Sequence, residues 1–244
     1  MSLLPRWQDR LSEAIRHFWK TRQRQSDLQG TRSGTRDSGS RAAVTGGKQL
    51  DGFVQLLRDF LEEAGLDRPC IYTSKKVELP GWYRAEKKWD LLIVREGSLI
   101  AAMEFKSQVG SFGNNFNNRT EEALGNATDL WAAFREGAFA PSLRPWLGYV
   151  MVLEEAKGSL SPVGVQEPHF KVFEEFRDTS YAKRYEILLT KLVRERLYDS
   201  AALILTDQLT GRDGTYVEPS PELGFDNLLI SLKARAVAIK EVSS

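Results

Sequence analysis

The chain has 244 residues, 41% of them hydrophobic, and 34 Lys and Arg against 33 Asp and Glu, for a net charge of +1. That length suits one domain with a single core; no apolar run reaches the roughly 18 residues of a membrane span and the start MSLLPRWQDR has no secretory leader, so a cytoplasmic protein is expected. One cysteine, Cys70, excludes an internal disulfide or a multi-cysteine zinc site, and two unrelated histidines, His17 and His169, read as ordinary helix residues and exclude chemistry built on paired imidazoles.

Charge is placed unevenly. Residues 1–48 hold ten Lys and Arg against four Asp and Glu, and the remainder 24 against 29. A basic arm on a slightly acidic body suggests a polyanionic partner. Within the arm, Trp7, Leu11, Ile15, Phe18 and Trp19 recur at helical spacing, which predicts an amphipathic helix over about 5–25 whose apolar stripe must dock. From about Gln25 to Gly47 the chain (SDLQGTRSGTRDSGSRAAVTGG) loses its large apolar residues and reads as a linker. Arg32, Arg36 and Arg41 punctuate it, either as contacts to a phosphate backbone or as charges on a solvated tether. The expected division is 1–47, a helix and basic arm, and 48–244, a compact α/β domain.

In that domain Leu50, Phe53, Val54, Leu57, Phe60 and Leu61 predict a helix ending near Gly65. Strands are predicted over about Cys70–Leu79, Trp89–Val94 and Leu99–Lys106, the last two joined by a hairpin turn at Arg95-Glu96-Gly97-Ser98. A helix follows over about Arg119–Glu136 with Leu124, Ala127, Leu130, Trp131 and Phe134 inward, then a strand near Trp146–Leu153. Two helical stretches over about 168–198 break near Asp178-Thr179-Ser180. The run AALILT is a buried strand, and a helix opened by Ser220-Pro221 closes the chain. The order αβββαβ, extended by further elements, indicates an α/β fold with a mixed β-sheet flanked by helices.

Three polar residues interrupt the otherwise apolar strands of WDLLIVREGSLIAAMEFKSQ. With a turn centred on Gly97, Asp90 faces Glu104 across the hairpin, while Lys106 shares the Glu104 face and Met103 and Phe105 point away. Two facing carboxylates destabilise a fold unless a cation lies between them. A divalent metal resolves the conflict, and oxygen ligands suit Mg²⁺, which accepts a phosphate oxygen and activates water. Phosphodiester hydrolysis is the chemistry that uses this set, with Lys106 orienting or deprotonating the attacking water, for which its pKa would need lowering.

The stretch WDLL…MEFKSQ, followed by VGSFGNNFNNRTEEALGNATDLW and preceded by GGKQLDGF, resembles type II restriction endonucleases of the XhoI group, within the PD-(D/E)xK nuclease superfamily, through most of the chain. The resemblance implies a restriction-endonuclease-like αβββαβ core, Mg²⁺ dependence, a homodimer, and cleavage of both strands of double-stranded DNA at palindromic CTCGAG. Carried over by position, Asp90 and Glu104 are metal ligands and Lys106 the catalytic lysine; the superfamily's proline is replaced by Trp89. A structure-specific repair or recombination nuclease and a non-catalytic DNA-binding protein are the alternatives.

Asp51, Glu62, Glu63 or Glu78 could add an acid to the site, Asp51 foremost as a third metal ligand, or could serve as caps and solvated charges. Asn114, Asn115, Asn117 and Arg119 follow the catalytic strand closely enough to read bases, whereas Asn118 with Glu121 fits a helix capping box. Trp82, Tyr83 and Arg84 either touch DNA or pack as a lid. Thr45-Gly46-Gly47-Lys48 lacks the rest of a phosphate-binding loop, so no nucleotide cofactor is expected.

Overall fold

The computed structural model describes residues 5–32 and 47–242. Arg36 and Arg41 lie outside them, and Arg32 is the last residue of the first helix. Helix α1, Pro5–Arg32, runs one to two turns past the expected limit near residue 25. Its apolar stripe docks on α2, Asp51–Glu63. Ile15 and Phe18 are fully buried, Trp7 meets Phe60 edge-on with centroids 5.0 Å apart, and Trp19 Nε1 donates to Thr206 Oγ1 at 3.1 Å. Each such large side chain contributes about 1.5–3 kcal/mol by burial. The helices touch closely at Gly52, where a Cβ would stand 3.2 Å from the Ala14 Cα.

A five-stranded sheet forms the centre, built from β1 (Ile71–Tyr72), β4 (Leu91–Arg95), β5 (Ser98–Gln108), β6 (Trp146–Glu154) and β7 (Ser200–Thr206), in the order β1-β4-β5-β6-β7. The first three strands are antiparallel; β5, β6 and β7 are parallel. The sheet is therefore mixed, as expected. One face carries Leu91, Met103, Phe105, Val150 and Ile204 against α1, α2 and the last helix, α6, Phe225–Val242. The other carries Leu92, Ala102, Tyr149, Met151 and Leu203 against α3, Phe112–Arg135, and α5, Tyr181–Arg194. Among the described residues no helix is long and apolar enough to cross a membrane.

Several expectations change. Cys70–Leu79 is not one strand: left-handed Lys76 (φ 57°) breaks it, and β2, Glu78–Pro80, pairs with β3, Glu86–Lys88, in a separate two-stranded sheet. The predicted helix over residues 168–178 is absent, with only a single 3₁₀ turn at Glu174–Phe176; Phe170 and Phe173 are exposed, so no apolar face is buried to hold a helix, and His169 is not helical. Helix α3 begins seven residues before Arg119, and Leu124 is 40% exposed because Ala123, Asn126 and Ala127 form the inward face.

Candidate active site

A hairpin with one extra residue brings the two acids together. Glu96 and Gly97 make the β4–β5 turn with φ of 51° and 77°, the doubly left-handed form that matches strand twist in a two-residue loop. Arg95–Ser98 and Val94–Leu99 pair next to it, but the register then shifts between Ile93 and Val94, so that Ile93 pairs with Ala101, Leu92 with Ala102 and Leu91 with Met103. This bulge on β5 sets Asp90 level with Glu104. The Asp90 N–H donates to the Met103 carbonyl at 3.2 Å, and the Phe105 N–H donates to Asp90 Oδ2 at 2.7 Å, fixing the carboxyl from behind.

Glu104 is only 2% exposed, and both of its oxygens are held by ammonium groups. Lys106 Nζ lies 2.5 Å from Oε1, and Lys87 Nζ, on β3, lies 2.7 Å from Oε2. Lys106 also reaches Glu122 Oε2 at 3.7 Å, and Arg119 Nη1 holds that same oxygen at 2.6 Å. Asp90, Glu104 and Lys106 thus meet on one face, in a network that continues to α3.

Burial, then the charge of Glu104, pushes Asp90 up to about 6; the Phe105 N–H bond and the two lysines act the other way. At neutral pH the Asp90 carboxyl is ionised, but only by a narrow margin. Burial works to lower the Lys106 pKa, yet Glu104, Glu122 and Asp90 outweigh it and hold the ammonium above its ordinary value. The lowering that a general base would need is not found in this arrangement, so Lys106 stands as a proton-bearing cation.

Helix α3 sorts its Asn-rich turns by direction. Its N-cap is Ser111, with left-handed φ of 47°, so Asn118 lies in the second turn and not at a cap. Phe112 and Phe116 pack on Tyr181 and Tyr185, and Tyr185 Oη hydrogen-bonds Gln108 Oε1. Asn115 Nδ2 donates to the Ser111 carbonyl at 3.1 Å, and Arg119 is engaged with Glu122. Asn114, Asn117 and Asn118 are exposed on the outer face. The residues before Arg119, outside the predicted helix, are therefore helical, with an exposed polar outer row.

The other predicted acids stand elsewhere. Asp51 is exposed, its pKa raised by partial burial against the pull of His17 and Lys48; Asp90 and Glu104 are not among its charge neighbours. Glu63 pairs with Arg6 at 2.9 Å and Glu62 with Arg68 at 3.5 Å. Glu78 is exposed on β2, opposite Lys88.

Four polar residues escaped the sequence reading. Lys87 is one, since nothing in the sequence distinguishes it from Lys75, Lys76 or Lys88 until β2–β3 pairing is known. Gln108, 3% exposed, continues the alternation of Glu104 and Lys106, and its Nε2 donates to the Ser111 carbonyl at 3.3 Å, tying the strand to α3. Asp129 and Asn126, 4% and 7% exposed, sit at inward helical positions and hold the turn between β2 and β3. Asp129 Oδ1 accepts from the Trp82 and Tyr83 N–H groups, both at 2.8 Å, its Oδ2 accepts from Arg84 Nε at 2.6 Å, and Asn126 Oδ1 accepts from Arg84 Nη2 at 3.0 Å. Trp82 and Tyr83 are left 54% and 73% exposed on a braced turn. Polar residues in the buried phase of a helix were the available signal for this pair.

The family model of restriction endonuclease XhoI matches residues 29–218, a stretch that contains the hairpin, the acids and all of α3. The chain belongs to the XhoI family of type II restriction endonucleases. It is 52% identical over 203 residues to the type II restriction enzyme BstVI of Geobacillus stearothermophilus, covering 81% of this chain and 91% of that one. Against XhoI of Xanthomonas vasicola the identity is 41% over 189 residues, 76% and 75% of the two chains. Against AbrI of Azospirillum brasilense it is 46% over 161 residues, 65% and 72%. No solved structure matches significantly. As a member of the XhoI family the protein is a site-specific deoxyribonuclease with DNA as substrate, which displaces the repair-nuclease and non-catalytic alternatives. Type II restriction enzymes generally need a divalent metal. Among the described residues no cluster of three acidic, His or Cys groups could hold one. Two facing carboxylates nonetheless fit Mg²⁺, which is commonly held by one or two carboxylates and completed by water and phosphate.

Proposed function

We propose that the protein cleaves both strands of double-stranded DNA within palindromic CTCGAG as a homodimer, with Mg²⁺ held by Asp90 and Glu104. The observation that carries this reading is the register of β4 on β5, which levels the two carboxylates beside Lys106 in a chain of this family. The order helix, three strands, helix, strand in the main sheet agrees with an αβββαβ core. A palindrome cut on both strands calls for two active sites related by a two-fold axis, hence the dimer.

When bound, Mg²⁺ would supply charge neutralisation at the phosphate and lower the pKa of an attacking water. Asp90 contributes as an oxygen ligand held in orientation by the Phe105 N–H, and Glu104 as the second. Lys106, carrying its proton, orients the water and offsets charge growing on the phosphate oxygens as the new P–O bond forms and the bond to the departing sugar oxygen breaks. Asn114 and Asn117, on the outer row of α3, are suited to bidentate bonds with adenine in the major groove; Asn115 and Arg119 brace the helix beside the site. Arg32, Arg36 and Arg41 would add phosphate contacts from the arm. Asp51 is left out of the metal set because its charge partners are His17 and Lys48.

Incubating the protein with Mg²⁺ and a plasmid carrying one CTCGAG should give a linear product whose two ends map inside that sequence, and none in chelator. Fragments ending at another palindrome would replace the proposed site, and cutting that persists in chelator would remove the metal.

A further inference from the structure

We propose that Lys87 is a built-in counter-ion for Glu104, a positioning residue that keeps the site folded without metal and competes with the divalent ion for the carboxylate. This inference rests on the reading of Asp90 and Glu104 as metal ligands. Glu104 has no free oxygen: Oε1 is taken by Lys106 and Oε2 by Lys87. A divalent ion on either oxygen would stand beside an ammonium, and repulsion between the cations favours displacement of one of the lysines. Lys106 sits two residues along the same strand, so its reach is fixed by the backbone. Lys87 comes from the separate β2–β3 sheet and is the cation free to leave.

The Lys87 ammonium is well satisfied where it is. Its side chain is 11% exposed, its Nζ lies 3.1 Å from the Lys88 carbonyl, and it stands 4.4 Å from the centroid of the Trp89 ring. Charge decides the rest. Asp90 and Glu104 carry two negative charges when ionised, balanced by Lys87 and Lys106. A divalent ion added to that set leaves an excess of two positive charges in a largely buried place, which is costly. Departure of Lys87 removes one, and a substrate phosphate removes another. The displaced ammonium is then a cation released beside the DNA backbone, so metal and DNA assist one another's binding.

The test uses Ca²⁺, which binds oxygen ligands without requiring regular geometry, with DNA-free protein. Lys87→Met should lower the melting temperature of metal-free protein and tighten Ca²⁺ binding by calorimetry on the order of tenfold or more, while Lys87→Arg restores wild-type values of both. In the wild type, the slowly exchanging side-chain ammonium signal of Lys87, assigned by its absence from the Lys87→Arg spectrum, should vanish as Ca²⁺ is added. Ca²⁺ affinity that is unchanged or weaker in Lys87→Met overturns the proposal. So does an ammonium signal that persists at saturating Ca²⁺, a measurement that needs no destabilised variant. Wild-type protein whose Ca²⁺ binding is absent, or survives Asp90→Asn and Glu104→Gln, would overturn the metal site itself. Normal binding that is indifferent to Lys87 removes only the counter-ion.

Discussion

β4–β5 and β2–β3 are both hairpins that deliver a lysine to the same carboxylate, yet they are held by different forces. β4–β5 lies within the main sheet, buried from Leu99 to Phe105 on one strand and from Leu91 to Ile93 on the other. Its geometry follows from apolar packing on both faces. β2–β3 is three residues long on each strand and mostly exposed. Buried Val77, the bonds from the turn to Asp129 and Asn126, and Lys87 on Glu104 are what secure it. A hairpin fixed by burial is as rigid as the core; one fixed by a few polar contacts can be released by removing one of them.

Breaking the buried hairpin's chemistry should give the largest effect. Glu104→Ala should reduce cleavage by at least about a thousandfold, the scale of losing a preorganised charge at a reacting phosphate, while cognate duplex binding in Ca²⁺ persists. Gel-shift and single-turnover assays on one duplex separate the two, and near-normal turnover would take Glu104 out of the reaction.

A gentler change exposes the strain in the same hairpin. Asp90 titrates near 6 in the folded protein and near 3.9 when unfolded. Its protonated form therefore stabilises the fold fully below about pH 4, and that stabilisation is lost as pH rises through about 6. Asp90→Asn keeps a neutral side chain throughout. Metal-free Asp90→Asn should exceed the wild type in stability by about 1–3 kcal/mol at pH 7.5, with the gap closing towards pH 4. Denaturant melts at the two pH values read this directly; a gap that is absent, or of the opposite sign, would mean that the carboxylate is not strained.

The exposed hairpin should respond locally. Asp129→Ala strands the Trp82 and Tyr83 N–H groups and Arg84, costing about 1–3 kcal/mol. Amide exchange at Trp82 and Tyr83 should accelerate well beyond that at Leu91–Ile93. Uniform acceleration would show that the two hairpins are not independently held.

The same contrast explains what the sequence made legible. Glu104 and Lys106 stood out because they interrupt an apolar strand, and the α1 stripe because Trp7, Leu11, Ile15 and Phe18 bury one face. The end of α1 did not, because beyond Trp19 the helix is supported by polar contacts that no periodicity reports: Arg22 to Gln49 at 3.0 Å, Gln23 to Asp27 at 2.7 Å, and Arg212 to Gln23 at 2.8 Å. The start of α3 was misread because Asn disfavours helix interiors, whereas stacking of Phe112 and Phe116 on α5 overrides that preference. Lys87 could not be read at all, since its importance arises only when residues far apart in the chain are paired.

The bulge between Leu99 and Ala101 has a consequence of parity. Side chains on a strand alternate between faces, and residues level with each other across a hairpin share one. A two-residue turn with unbroken pairing would set Asp90 level with Met103, leaving Glu104 on the far side of the sheet. The one extra residue converts an odd offset into an even one and so puts both acids on the face that carries Lys106. Sliding β5 by one residue to close the bulge would keep the sheet, the turn and every side chain and yet divide the acids between two faces; deleting Ile100 would close it without a slide and leave Asp90 level with Glu104.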